Sequence, residues 1–315
     1  MKRISLLLAA GLALGAPAAV AQDGPVIDMH LHCYTDMTAG VRADWTDRPD
    51  ARALAAPEGT EEHMRATLAE MDRHRVVLGV VSGPEECLRA WRREAPDRVV
   101  GGGYLGDDGM PEHSVESLRA LVQEGTVAVL GELGLQYHGI APDDPRLDPY
   151  YDYLEESGVP LALHTGLGPP GGPHSFAPAF RVSLGRPTLL EPVIAARPEL
   201  RAYLMHSGWP YVSETKAMLY IYRNLYVDVG VLSWALTTEA FHATLRQLVD
   251  AGFGARILFG TDQMQWPGAL GIAVESVEEV PFLSAQQKRA ILYDNAARFL
   301  GLTDEQIARH HGTGE

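Results

Sequence analysis

Val26-Ile27-Asp28-Met29-His30-Leu31-His32 is a short, mostly apolar run closed by two histidines, and seven further runs of similar character follow it. They cover Val76–Ser82, Arg98–Leu105, Val127–Glu132, Val159–Thr165, Leu200–His206, Asn224–Val231 and Arg256–Thr261. Continuous apolar runs of this length read as strands covered on both faces, not as strands with one wet side. Amphipathic or capped stretches separate them: Thr60–His74, Glu85–Glu94, Glu112–Glu124, Pro149–Ser157, Thr188–Ala196, Ser213–Arg223, Glu239–Ala251 and Ser284–Leu300. Eight strand–helix pairs in strict alternation predict an α/β fold, a (β/α)8 TIM barrel with its helices outside. An open doubly wound sheet is the alternative, but it usually carries a Gly-rich phosphate turn after its first strand, and none is present.

Two insertions interrupt the alternation, residues 33–59 after strand one and 166–187 after strand five. The second holds Gly166, Gly168, Pro169, Pro170, Gly171, Gly172 and Pro173, a composition that predicts an ordered loop without regular structure. Both leave the carboxyl ends of strands, where barrel enzymes keep their active sites, so a lid or substrate wall is expected. For the first, a passive surface loop is nearly as good a reading. At the N-terminus, Lys2 and Arg3, the apolar run Ile4–Leu14 and the small-residue site Ala19-Val20-Ala21 form the pattern of a secretory signal peptide over residues 1–21. The expected organisation is therefore a leader (1–21), a barrel domain (22–303) and a C-terminal tail (304–315) that includes a short helix, with the mature chain periplasmic or secreted. The residue directly after Ala21 is Gln22, not Cys, so no lipid anchor is expected.

Removal of Lys2 and Arg3 takes the net charge from −15 to −17. Such a field repels polyanions, which excludes nucleic acid as a natural partner and points to a small-molecule substrate. No later run is long enough to insert in a membrane, and a homo-oligomer is compatible with the composition. The two cysteines, Cys33 and Cys87, are no disulfide scaffold. They stand near the ends of neighbouring strands, so a disulfide pinning the first insertion and two separate buried thiols both remain open.

The chemistry sits at the strand ends. Residues two apart on a strand face the same way, so His30 and His32 can point at one spot. Alone, that pair is weak evidence. Yet Glu132 ends strand four, His164 strand five, His206 strand six and Asp262 strand eight. Six metal-ligating side chains at the same rim of a barrel are a site, not scatter.

The order H-x-H, Glu, His, His, Asp over strands one, four, five, six and eight resembles the amidohydrolase superfamily. Pro160-Leu161-Ala162-Leu163-His164-Thr165-Gly166, Met205-His206-Ser207-Gly208-Trp209-Pro210, Phe259-Gly260-Thr261-Asp262 and Asp294-Asn295-Ala296-Ala297-Arg298-Phe299-Leu300-Gly301 resemble its amidohydrolase-related branch. The resemblance covers essentially the whole mature chain. It implies a (β/α)8 fold, one or two divalent metal ions and usually hydrolysis, with decarboxylation in some relatives. Many members bridge two metals with a carboxylated lysine. The only lysines here are Lys2, Lys216 and Lys288, none on an expected strand, so Glu132 is the candidate bridge. Its other reading is a base that orients a histidine or a water.

In the two-metal scheme His30, His32 and Asp262 hold one ion, His164 and His206 the other, and Glu132 lies between. In a one-metal scheme His30, His32, His164 and Asp262 keep the ion and His206 becomes a polarising acid. Mixed imidazole and carboxylate ligands suit Zn2+ best, then Mn2+ or Fe2+. The expected reaction is hydrolysis of a small ester, lactone or amide by a metal-bound hydroxide, with Asp262 moving the proton. The rival is a metal-dependent non-oxidative decarboxylase, which needs a cation to grip its substrate's carboxylate; Arg181 is the one nearby candidate. A phosphoester nuclease is disfavoured by the charge, and a non-catalytic zinc-binding protein by the completeness of the ligand set. No G-x-S-x-G elbow, Walker loop or dinucleotide fingerprint is present.

Trp209, Tyr211, Tyr137, His138, His174 and Arg181 are further cavity candidates, each equally readable as an ordinary loop residue. His63, His74, His113 and His242 fall on expected helices and read as packing or surface residues; His310 and His311 belong to the tail.

Overall fold

The computed structural model describes residues 24–313; the leader expected over 1–21 lies outside the described residues. Eight strands run in chain order: β1 (Val26–His32), β2 (Val76–Ser82), β3 (Val99–Gly103), β4 (Val129–Leu133), β5 (Leu161–Leu163), β6 (Ala202–Leu204), β7 (Leu225–Asp228) and β8 (Ile257–Leu258). Each pairs in parallel with the next. Between β8 and β1 the wall is completed by single bonds: Met29 N–H donates to Phe259 O at 2.9 Å, and Asp262 N–H to His30 O at 2.7 Å. The result is a nearly closed TIM-like barrel. Around it lie α1 (Thr60–Arg73), α2 (Glu85–Glu94), α3 (Val115–Gln123), α4 (Asp148–Ser157), α5 (Glu191–Ala196), α6 (Val212–Ile221), α7 (Leu232–Ala235), α8 (Thr238–Asp250), α9 (Ala269–Glu278), α10 (Ala285–Arg289), α11 (Asn295–Leu300) and α12 (Asp304–His310).

One apolar cluster takes residues from strand after strand, including Ile27, Met29, Val80, Val129, Ala162 and Leu258, and fills the barrel. A larger one packs the strands' outer faces against the helices. This two-shell burial is why the strands lack a polar face. Strict alternation would put His30 on the face opposite Met29. The pairing register of β1 slips between Asp28 and Leu31, and that of β4 between Leu130 and Leu133. Bulges of this kind re-aim side chains beside functional sites, and here they turn His30, His32 and Glu132 inward.

β1 and β2 match the sequence reading residue for residue; β5, β6 and β8 are shorter than expected. His164, His206 and Asp262 lie one, two and four residues beyond their strands. His206 (φ 59°), Ser207 (φ 51°) and Asp262 (φ 52°) are left-handed, a conformation that ends an extended ladder and is costly outside glycine. Helix α9 was not expected. Ala269, Leu270, Gly271, Ala273, Val274, Ser276 and Val277 are all buried, so it lacks the polar face that marks a helix in sequence. Residues 284–300, expected as one helix, form α10, a π turn (Ala290–Asp294) and α11. The insertion after β5 is not wholly irregular, since Gly172–His174 and Val182–Gly185 form single 3-10 turns.

Cys33 and Cys87 are joined in a disulfide that spans 54 positions and ties the residue after His32 to the first turn of α2. Closing a loop of that length contributes about 2–4 kcal/mol, chiefly by restricting the unfolded chain. Cys33→Ser/Cys87→Ser is accordingly expected to lose about that much stability in denaturant titration while keeping its far-UV spectrum.

Candidate metal centre

Six side chains meet at the carboxyl ends of the strands, and Glu132 lies among them. Its Oε2 lies 3.1 Å from His32 Nε2 and 3.5 Å from His30 Nε2. Its Oε1 lies 2.6 Å from His164 Nδ1 and 3.2 Å from His206 Nε2. Each oxygen of one carboxylate therefore addresses a different histidine pair. Asp262 Oδ1 completes the first pair at 3.0 Å from His32 Nε2 and 3.6 Å from His30 Nε2. The structure thus brings together all six residues expected from the sequence.

A seventh was missed. Asp228, fully buried at the end of β7, faces His30 Nδ1 at 2.9 Å and accepts from the backbone N–H of His206 (2.7 Å) and Gly230 (3.0 Å). It holds His30 with Nε2 turned to the centre, the usual task of a carboxylate behind a metal-facing imidazole. Reading strand seven through to Val231 left Asp228 mid-strand; a strand end at Asp228 would have exposed it. Gly230 gives His30 its room, since a Cβ there would stand 2.6 Å from His30 Nδ1. His206 Nδ1 faces Gly230 O at 3.0 Å, which leaves its Nε2 toward Glu132.

Backbone clamps fix the remaining directions. Ser82 Oγ accepts from Glu132 N–H (2.7 Å) and donates to Gly131 O (2.6 Å). Gln263 grips His32 by both its N–H and its C=O at 2.9 Å. Asp28, pushed up to about 7 by burial, accepts from the N–H groups of His30 and Thr261.

The donor set fits a divalent cation. His30 Nε2 and His32 Nε2 face one another at 3.2 Å, and His164 Nδ1 and His206 Nε2 at 3.0 Å. Ring nitrogens turned on each other in a dry site need a positive charge or a proton between them. Asp262 Oδ1 and His164 Nε2 are buried without a hydrogen-bond partner. The ligating atoms of His30, His32, Glu132 and Asp262 lie within 4.8 Å of one another, as do those of Glu132, His164 and His206. Mixed nitrogen and oxygen donors at this spacing are what Zn2+ and similar ions take.

The titration behaviour agrees. Burial works to lower His30, yet Asp262, Glu132 and Asp228 outweigh it and hold the ring well above its ordinary value. His32 is raised against burial to about 9 by Asp262 and Glu132. Burial lowers His164 despite Glu132, and His206 is raised by Glu132 and Asp262. Burial would push Glu132 up, but the surrounding histidines hold it well below the usual carboxylate range.

A cavity of about 890 Å³ opens above the cluster. Both insertions wall it, through Trp45 and Asp47 of the first and Phe176, Ala177 and Pro178 of the second. Tyr137, His138 and Trp209, three of the cavity candidates from the sequence, line it. Tyr211, His174 and Arg181 do not; Arg181 is exposed and its guanidinium donates to Pro178 O and Phe180 O. His63 is a packing residue, its Nε2 donating to Met264 O at 2.8 Å.

A nearly closed barrel with a buried His/Glu/Asp cluster at its carboxyl face defines a TIM-barrel enzyme whose site is consistent with divalent metal binding. The chain belongs to the amidohydrolase family, whose description, "Amidohydrolase", matches residues 27–302. An uncharacterized TIM-barrel protein from Bordetella bronchiseptica superposes with a TM-score of 0.64 at 21% identity, over 90% of this chain and 100% of that one. A probable 2-pyrone-4,6-dicarboxylic acid hydrolase from Acinetobacter baumannii gives 0.60 at 14% identity (88% and 99%). A 2,6-dihydroxybenzoate decarboxylase from Rhizobium gives 0.59 at 14% identity (89% and 99%). Protein fluG of Emericella nidulans is 27% identical over 167 residues, 48% of this chain and only 18% of that protein's length. These likenesses extend to the fold; the structural neighbours include both hydrolases and decarboxylases.

Because His32 keeps its proton up to about pH 9 in the metal-free protein, an ion entering at neutral pH must displace that proton. Apparent metal affinity is therefore expected to rise with pH from neutrality toward about pH 9, by up to about tenfold per unit for each proton released. Chelator competition at several pH values, with proton release read in two buffers of different ionisation enthalpy, checks this.

Proposed function

We propose that the protein is a metal-dependent hydrolase of a small ester, lactone or amide, carried by one observation: Glu132 presents one oxygen to His30/His32 and the other to His164/His206. A carboxylate so placed supports two cations side by side, the arrangement suited to activating a water against a carbonyl. The residues fit this chemistry without rearrangement. His30, His32 and Asp262 would hold one ion, His164 and His206 the other, with Glu132 shared; Zn2+ is the ion best suited to these donors. A bound divalent cation supplies a lowered pKa for a water ligand and polarises a carbonyl oxygen.

Asp262 has the position for the proton. Its Oδ1 is buried beside His32 Nε2 at 3.0 Å, and against burial His30 and His32 keep its carboxyl below the ordinary range, so it starts the cycle as a base. His206, backed by Gly230 O through Nδ1, would present Nε2 to the second ion; only in a one-metal site would that nitrogen be free to face the substrate carbonyl. Tyr137, packed against His164 at 5.0 Å between ring centroids, helps exclude water from that side. The decarboxylase alternative is supported by structural neighbours of that activity, but its carboxylate grip was assigned to Arg181, which points elsewhere. Export to an oxidising compartment is part of the proposal; the leader-like segment 1–21 and the Cys33–Cys87 disulfide support it.

Protein stripped of metal and reloaded with Zn2+ is expected to hydrolyse at least one member of an ester, lactone and amide panel, and to lose turnover with chelator. Asp262→Asn should lower kcat by at least about a thousandfold without changing the far-UV spectrum. Carbon dioxide release from aromatic or enoic acids with no ester, lactone or amide turnover would overturn the reading.

A further inference from the structure

The cavity wall is aromatic and hydroxylated, and away from the histidine cluster it presents no guanidinium or ammonium group. Among the described residues that line it there is no Arg and no Lys, while Asp47, Asp107 and Asp108 are exposed at its edge. Three tyrosines, Tyr34, Tyr104 and Tyr137, come into it from the segments after β1, β3 and β4. None of their hydroxyls has a hydrogen-bond partner among the described residues, whereas those of the fully buried Tyr151 and Tyr203 bond Pro142 O and Met29 O. A phenol keeps its proton at neutral pH, so all three hydroxyls can donate. Flat apolar surfaces stand beside them: Tyr137 packs on Phe176 and Phe180 at 6.1 and 5.1 Å, and Trp209 forms part of the same wall.

We propose that this cavity selects an uncharged aromatic ester or lactone, whose remote oxygens are met by the hydroxyls of Tyr34, Tyr104 and Tyr137, and discriminates against a substrate that carries a carboxylate away from the scissile bond. The proposal rests on the hydrolase reading and names the substrate class for that same site. A carboxylate held against this wall, away from the metal cluster, would lose its hydration and find three neutral donors but no Arg or Lys, with three aspartates nearby. An uncharged carbonyl or hydroxyl pays no such penalty and satisfies phenols that are otherwise unpaired. The planar wall suits a ring laid against it.

The test compares 4-acetoxybenzamide with 4-acetoxybenzoate, esters of the same shape that differ in charge at the far end of the ring, on the Zn2+-loaded protein. The amide is expected to have a kcat/KM at least about tenfold higher, and Tyr34→Phe and Tyr104→Phe to lower it by about three- to tenfold at unchanged zinc content. Equal or faster turnover of the benzoate overturns the selectivity. Unchanged amide kinetics in both tyrosine variants overturns the tyrosine assignment. If neither ester is hydrolysed, the hydrolase reading fails by itself. The selectivity is then read from tryptophan-fluorescence titrations with 4-hydroxybenzamide and 4-hydroxybenzoate: tighter amide binding sustains it, and equal or tighter benzoate binding overturns it.

Discussion

One carboxylate surrounded by four imidazoles governs the mouth of this barrel. Glu132 is largely removed from water, and a carboxylate in such a place without opposite charge would cost several kcal/mol. His30, His32 and His206 provide that charge as protons in the metal-free protein, or all four histidines do so by gathering a cation. Much of the nearby structure serves this arrangement. The bulge in β4 and the Ser82 clamp aim Glu132; the bulge in β1, Asp228 and the space left at Gly230 aim His30. Gln263 fixes His32 from the far side of the barrel seam, and Asp28 with Thr261 ties that seam beneath it.

The disulfide belongs to the same construction. Cys33 follows His32, and its N–H donates to Ser82 O at 2.9 Å, so the covalent bond to Cys87 secures the segment that joins the H-x-H pair to the Glu132 clamp. The precision asked of a metal site is met here by backbone contacts and one crosslink, with the variable chemistry confined to the two loops above.

Much of this was legible in sequence because it rests on burial and on strand ends. β1 and β2 are mostly apolar runs, so their limits were plain, and the six ligand candidates stood where apolar runs stop. What was hidden depended on phase and handedness. Register slips in β1 and β4 leave no mark in composition, and the left-handed turns at His206 and Asp262 end strands that otherwise read longer. Asp228 disappeared inside an overlong strand, and α9 has no polar face to announce it. The bare, hydroxylated cavity wall is assembled from three separate βα segments and two insertions, so no single motif records it.

The central claim is that Glu132 joins two cation sites. Anomalous diffraction at the zinc edge, on crystals grown from Zn2+-reconstituted protein, addresses it directly. Two peaks are predicted, one among His30, His32 and Asp262 and one between His164 and His206, with a Glu132 oxygen on each. A single peak with Glu132 turned away, or hydrogen-bonded only to a histidine, would contradict it.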